Sequence, residues 1–302
     1  MTAEPSSDSR QRHQAEVIAF LRQRLSRSAW ELSLPPHGAG QETYFARGGG
    51  QDCFIKLGAQ LERCQVLSAL GVAPPVILAG WLEDGTSILV QPRLEGSMPT
   101  RQEFPRYLDQ FAATLGKTHH SEALKRLLPS RPTSQHKDAG LAVLQEIQQR
   151  WEMYRPAVPA WADYVDDKIA YLKAQTSQFQ SSGLVASHND VCNGNWLISK
   201  DGAIYLLDYE SMSQDDPALD IGAILWWYYP PELRQAFVEA AGYGYDQEFR
   251  RRMRIRMAMH NLNIILPRQG SFDRFNPEQF DSSLEDFRAV VEGGENPQGY
   301  AG

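Results

Sequence analysis

The sequence predicts an α+β fold, with a small antiparallel sheet in the first part of the chain and a mostly helical remainder. Three observations predict it. Short β-type runs crowd residues 1–92 and are joined by Gly-Gly-Gly and Asp-Gly turns. Apolar residues at helical spacing fill most of residues 93–302. One non-helical island, residues 184–208, interrupts those helices. Sheet first and helices after implies a first lobe over residues 1–92 and a second over 93–302, with a cleft between them.

The elements follow in order. Gln14–Ser28 carries Val17, Phe20, Leu21 and Leu25 at the spacing of an amphipathic helix. Thr43–Ala46 and Asp52–Leu57 read as strands joined by Gly48-Gly49-Gly50. Leu61–Leu70 is helical, and Pro74-Pro75 stops its continuation. Val76–Trp81 and Ser87–Gln91 form a second hairpin around Asp84-Gly85. Phe104–Leu128, Asp138–Met153 and Trp161–Phe179 are helical. Leu184–Ser187 is a short strand, and Asn195–Ser199 and Ala203–Asp208 pair around Asp201-Gly202. Helices resume after Pro217 and run to about Leu266, with one more at Leu284–Val291.

Composition narrows the function. The 302 residues are 42% apolar and 22% charged, and 30 Lys plus Arg against 37 Asp plus Glu leave a net charge of −7. An acidic chain is a poor candidate for holding nucleic-acid backbones, and it favours small cations in its clefts. Cys53, Cys64 and Cys192 show no CxxC spacing, so neither a zinc site nor a disulfide framework is expected. Residues 1–13 lack the apolar core of a signal peptide. The longest apolar run, Ile221–Pro231, is far short of the ~20 residues that cross a bilayer. A cytoplasmic protein without a membrane partner is expected.

Chemistry concentrates in His188-Asn189-Asp190-Val191-Cys192-Asn193-Gly194-Asn195 and in Leu206-Leu207-Asp208-Tyr209-Glu210. Asp190 and Asn195 sit at the two ends of one loop, and Asp208 ends the strand that returns beside it. Three oxygen-bearing side chains at one end of a hairpin suit Mg²⁺, whose shell phosphates and water complete. Turn chemistry alone explains Gly194 and Gly202. It does not explain the joint appearance of His188, Asp190, Asn195, Asp208 and Asp220.

This spacing is that of the kinase catalytic loop H-x-D-x-x-x-x-N and its later metal-binding Asp. Glu210 stands where a kinase has the last Gly of D-F-G, and no A-P-E segment comes after it. The chain therefore resembles the aminoglycoside phosphotransferase and choline kinase superfamily, across most of its length. The resemblance implies a bilobal protein-kinase-like fold and an ATP- and Mg²⁺-dependent small-molecule kinase. Asp190 would accept or orient the proton of the substrate hydroxyl. Asn195 and Asp208 would hold Mg²⁺, and Lys56, in the apolar strand 53–57, would pair with the inner phosphates. Glu62 resembles the acidic partner of that lysine, and Gly38 and Gly40 the loop over the phosphates. Gln91, Arg93 and Leu94 fall in the linker whose backbone meets adenine. Asp220 would brace the catalytic loop and His188 would hold its shape, while Glu210 is a candidate substrate or metal contact.

Within the superfamily, His188-Asn189-Asp190 and Asp208-Tyr209-Glu210 resemble the choline/ethanolamine pattern more than the aminoglycoside one. Trp226-Trp227-Tyr228-Tyr229 falls where that family builds its alcohol pocket, and one or two of these rings would hold an ammonium group by cation–π attraction. The expected acceptor is thus a small, amine-bearing alcohol. Antibiotic, thiamine and sugar kinases share the same loops, and a non-catalytic nucleotide-binding scaffold is the alternative of another class.

Overall fold

The computed structural model describes residues 7–35, 42–270 and 274–300, so Gly38 and Gly40 lie outside the described residues. By contacts the chain divides into two compact units, Met1–Ser97 with Leu197–Leu207, and Met98–Trp196 with Asp208–Gly302.

The first unit opens with α1 (Ser7–Arg24) and continues through β1 (Trp30–Ser33), β2 (Thr43–Gly48), β3 (Gln51–Leu57), α2 (Leu61–Ala69), β4 (Leu78–Trp81) and β5 (Ser87–Pro92). The five strands form one antiparallel sheet in the order β1-β2-β3-β5-β4. Both expected hairpins are present. The first turns through Gly49 and Gly50 at φ 57° and 76°, a pair of positive angles that side-chain-bearing residues resist. Side chains alternate across a strand, and along β3 Cys53, Ile55 and Leu57 are buried while Phe54 and Lys56 face the other way. Val17 and Leu21 of α1 join Ile55, Ile88 and Val90 in the core on the first of these faces. Each such side chain, fully buried, contributes about 1.5–3 kcal/mol.

The first unit also takes in a hairpin from far along the chain. After β6 (Gly96–Ser97), residue 96 pairs with Ser199 in β8 (Trp196–Ser199), and β9 (Ile204–Leu206) completes a three-stranded sheet in the order β6-β8-β9. A Cβ at Gly96 would lie 2.3 Å from the carbonyl oxygen of Ile198, so only glycine permits this approach.

The second unit is helical. It comprises α3 (Glu103–Arg106), α4 (Leu108–His119), α5 (Glu122–Arg126), α6 (His136–Tyr154), α7 (Ala162–Thr176), α8 (Ala218–Tyr228), α9 (Pro231–Ala240), α10 (Gln247–Ile265), α11 (Phe280–Ser283) and α12 (Glu285–Val291). The single helix expected over Phe104–Leu128 is three. Tyr107 leaves helical geometry at φ −111°, ψ 31°, and Ser121 caps α5 by accepting the backbone N–H of Leu124 at 3.2 Å. Before the loop at residues 188–195 runs β7 (Val185–Ser187), paired antiparallel with β10 (Ser213–Asp215), a strand that no local pattern announces. No helix among the described residues is long and apolar enough to cross a membrane.

Candidate active site

The second unit holds the loop that comes after β7, and one carboxylate organises it. Asp220, in the first turn of α8, is 1% exposed. Its Oδ2 accepts from Ser187 Oγ (2.9 Å), the His188 backbone N–H (2.6 Å) and His119 Nε2 (2.9 Å), while Oδ1 accepts from the Asn189 N–H (2.8 Å). Burial by itself would raise its pKa, yet the His119 bond and charge and the backbone donor at His188 hold it below the usual carboxylate value. Asp220 thus ties together β7, the loop and α4.

The loop is fastened at further points. His188 is fully buried, and its ring meets the Tyr209 ring edge to face at 6.1 Å, which sets the Asp208-Tyr209-Glu210 segment beside the loop. Asn189 sits at φ 67°, and its amide nitrogen donates to Ser211 O (2.6 Å) and Ser213 Oγ (2.9 Å). The Asn193 N–H donates to the Tyr228 hydroxyl at 2.8 Å, and Tyr228 stacks on Phe104 with ring centres 3.9 Å apart. Burial pushes the Tyr228 hydroxyl up to about 12, so it stays protonated. Asn189 and Asp208, at φ 67° and 61°, are the non-glycine residues with positive φ among the described residues. Asn and Asp tolerate this region best, and strain of this kind concentrates at functional sites.

Asp190 is half-buried and stands on the wall of a cavity of about 510 Å³, with Asn189, Cys192, Trp227, His260 and Arg268 among its neighbours on that wall. Its backbone carbonyl accepts the Asn195 amide N–H at 2.9 Å, which leaves the amide oxygen of Asn195 as the end open to a cation. Desolvation and the charge of Asp190 push the Cys192 thiol up to about 11, so no thiolate forms there at neutral pH. Asp208 and Glu210 are both exposed, Glu210 at the turn after Tyr209.

Other expected residues are placed less as the sequence suggested. Trp227 lines the Asp190 cavity, whereas Trp226 lines a separate cavity of about 190 Å³ with Arg254 and Glu295. The reason is helical phase. Asp220 and Trp227 are seven apart and share a face of α8, and Trp226 lies about 100° round. The acidic run offers less charge than its composition implies. Asp215 binds Arg256 (2.8 Å) and Arg131 (3.5 Å), Asp216 binds Arg252, and all three of Asp215, Asp216 and Asp220 are buried. Asp215 is thus not a free lure for a cation.

In the first unit, Lys56 lies half-buried on β3, on the face opposite the α1 core. Directly paired residues share a face, so Thr43, Leu89 and Gln91 lie on that face with it. Glu62 is exposed and makes no ion pair among the described residues; Arg63 is the buried residue of that turn of α2. The Gln91 side chain donates to Pro74 O at 2.9 Å. The Arg93 N–H is taken by Asp52 O (2.9 Å), and its guanidinium stacks 4.1 Å over Phe45. Leu94 is half-buried.

Sequence reasoning passed over Arg150, Arg268, His260 and Asn263, which line the Asp190 cavity from α6, α10 and the segment after α10. A signal existed. Arg252, Arg256, His260 and Asn263 recur at i, i+4, i+8 and i+11, one polar stripe along a helix whose buried residues also include Met253, Ile255, Met257, Ala258, Met259 and Leu262.

A model of the phosphotransferase enzyme family matches residues 31–255. Among solved structures the chain is similar to a choline/ethanolamine kinase family protein from Mesorhizobium loti, at 17% identity over 94% of this chain and 98% of that one, with a TM-score of 0.63. It is similar to a choline kinase from Cryptosporidium parvum, at 14% identity over 93% and 97%, TM-score 0.64. A third is a spectinomycin phosphotransferase in complex with ADP and spectinomycin, at 14% identity over 92% and 96%, TM-score 0.53. These likenesses establish the fold, an antiparallel sheet region followed by a helical one, as expected for a kinase-like chain. With the family match covering well over half of its length, the chain belongs to the phosphotransferase enzyme family.

Proposed function

We propose that the protein is a kinase that moves the γ-phosphoryl group of ATP, with Mg²⁺, onto a hydroxyl of a small molecule bound beside Asp190. The observation that carries this is the placement of Asp190 on a cavity wall, in a loop whose first two backbone N–H groups Asp220 accepts while it also binds Ser187 of β7 and His119 of α4. In the reaction the acceptor oxygen bonds to the γ-phosphorus as the bond from that phosphorus to the β-bridging oxygen breaks. Asp190 orients the hydroxyl and takes its proton, and ADP leaves. The Asn195 amide oxygen and the Asp208 carboxylate are the hard-oxygen pair that would hold Mg²⁺. Bound there, the metal would neutralise phosphate charge. Among the described residues no group of three His, Cys, Asp or Glu cages a metal, and Mg²⁺ requires none, since phosphates and water fill its shell.

Lys56 would pair with the inner phosphates, and residues 1–92 would form most of the nucleotide-binding part. With Arg93 N–H already bonded, the adenine edge falls to Leu94 and the linker carbonyls. Glu210 is a candidate contact for the acceptor, and a cytoplasmic location suits a kinase drawing on cellular ATP. The His188-Asn189-Asp190 and Asp208-Tyr209-Glu210 patterns resemble those of choline-type kinases, and Trp227 in the cavity offers the acceptor a ring face, while the charge of the acceptor is a separate question that the arginines on the same walls bear on. Sugar and antibiotic acceptors keep the same chemistry at Asp190.

An ADP-release assay over choline, ethanolamine, thiamine, aminoglycosides and simple sugars tests the reading. Acceptor-dependent ADP release is expected. A nucleotide-induced rise in melting temperature with no acceptor-dependent turnover would identify a non-catalytic scaffold instead.

A further inference from the structure

The cavity beside Asp190 adjoins a second of about 360 Å³, and the two share Asn189, Ser211, His260, Asn263 and Arg268 as walls. Their combined lining is rich in guanidinium groups. Arg150 and Arg268 face the first cavity, and Arg131, Arg256 and Arg268 the second. Apart from Asp190, the carboxylates on these walls are Asp215 and Glu146. Asp215 binds Arg256 and Arg131, and Glu146 binds Arg268 at 3.1 Å. Three of the four arginines thus engage these two carboxylates, and Arg150 engages neither.

Two of those cations are buried and under-compensated. Arg150, 7% exposed, donates to the carbonyls of Leu266, Asn263 and Glu146 and to Asn263 Oδ1, and pairs with no carboxylate among the described residues. Arg256, 1% exposed, binds Asp215 through Nη2, while its Nε and Nη1 have no hydrogen-bond partner among the described residues. Asn189 Oδ1, on the same wall, is likewise without one and offers an acceptor to a hydroxyl. Burying a guanidinium with unsatisfied N–H groups is costly, and a planar oxyanion is the partner its fork matches. A quaternary ammonium would meet the same arginines with the wrong sign.

Resting on the phosphotransferase reading, we infer that the acceptor carries an oxyanion, carboxylate or phosphate, in addition to the hydroxyl presented to Asp190. Arg150 and Arg268 receive the oxyanion, Arg256 adds positive charge behind the wall, and Asn189 receives a hydroxyl.

The test uses one ring carrying different charges: glucuronate, glucose 6-phosphate, glucose and glucosamine, with choline alongside. Binding to the full chain is measured by titration calorimetry, and ADP release is measured in parallel. At least tenfold tighter binding of glucuronate or glucose 6-phosphate than of glucose is expected, and whichever of the two binds tighter distinguishes carboxylate from phosphate. Arg268→Glu, at a side chain 68% exposed, is expected to remove that preference with an unchanged melting temperature. Tightest binding by glucosamine or choline, or no difference among the probes, overturns the inference. Anion binding without ADP release from any acceptor upholds it and counts against the kinase reading. ADP release stimulated by choline alone does the reverse.

Discussion

Two sets of carboxylates lie close together in the sequence and do opposite things. Asp190, Asp208 and Glu210 are half-buried or exposed. Asp215, Asp216 and Asp220 are buried and each is bonded to an arginine or a histidine. The second set is the foundation on which the first is held. A buried carboxylate persists as an ion only where donors compensate its lost hydration. An exposed one keeps contact with water and needs no such compensation. Acidic composition alone does not separate the two, which is why the net charge of −7 does not decide the charge of the substrate.

The comparison breaks most sharply on Asp190. Asp190→Ala is expected to lower kcat about 10²–10⁴-fold with ADP binding and melting temperature retained. Substantial retained turnover in the ADP-release assay would remove Asp190 from its role. Asp220→Ala is expected to act in the opposite register, destabilising the fold by about 3–5 kcal/mol, because His119 and two backbone N–H groups lose their buried partner. Chemical denaturation reads this directly, and an unchanged midpoint would show that Asp220 braces nothing.

The two tryptophans sharpen the same contrast between ligand and foundation. Trp227→Ala should raise the acceptor KM about tenfold, the scale of one lost aromatic contact of ~1.4 kcal/mol, with the ATP KM unchanged. Trp226→Ala should lower the melting temperature and leave the acceptor KM alone. Equal effects on KM would dissolve the distinction drawn from helical phase.

The smallest effect is in pH. The folded pKa of Asp220 lies below its unfolded value of about 3.9, so its contribution is fully present above that value and is lost as pH falls through the folded pKa. The stability gap between wild type and Asp220→Asn should therefore be constant from pH 7 to about 5 and narrow below about 4. A gap that narrows between pH 7 and 6 would assign the linkage to a histidine instead.

Local chemistry made parts of this molecule legible in advance. Gly49, Gly50 and Gly85 announce their turns because few other residues hold positive φ. The loop from His188 to Asn195 and the Asp208 segment are close in sequence, and a hairpin suffices to bring them together. Where local signals misled, long-range packing intervened. Nothing local foretold β10, whose partner β7 lies some 25 residues earlier. Asp215 reads as a solvent acid until α10 brings Arg256 within 2.8 Å of it.

By itself the sequence determined the order of sheet and helices and the placing of residues 188–195 in a loop between them. These are properties of turns, periods and short spacings, set within a few residues of each other. Tertiary structure alone decided which acids are buried, which tryptophan meets the cavity and what charge lines it. Arg150 and Arg256 stand 106 positions apart on α6 and α10, and their convergence around adjoining cavities comes from helix packing that no local spacing encodes.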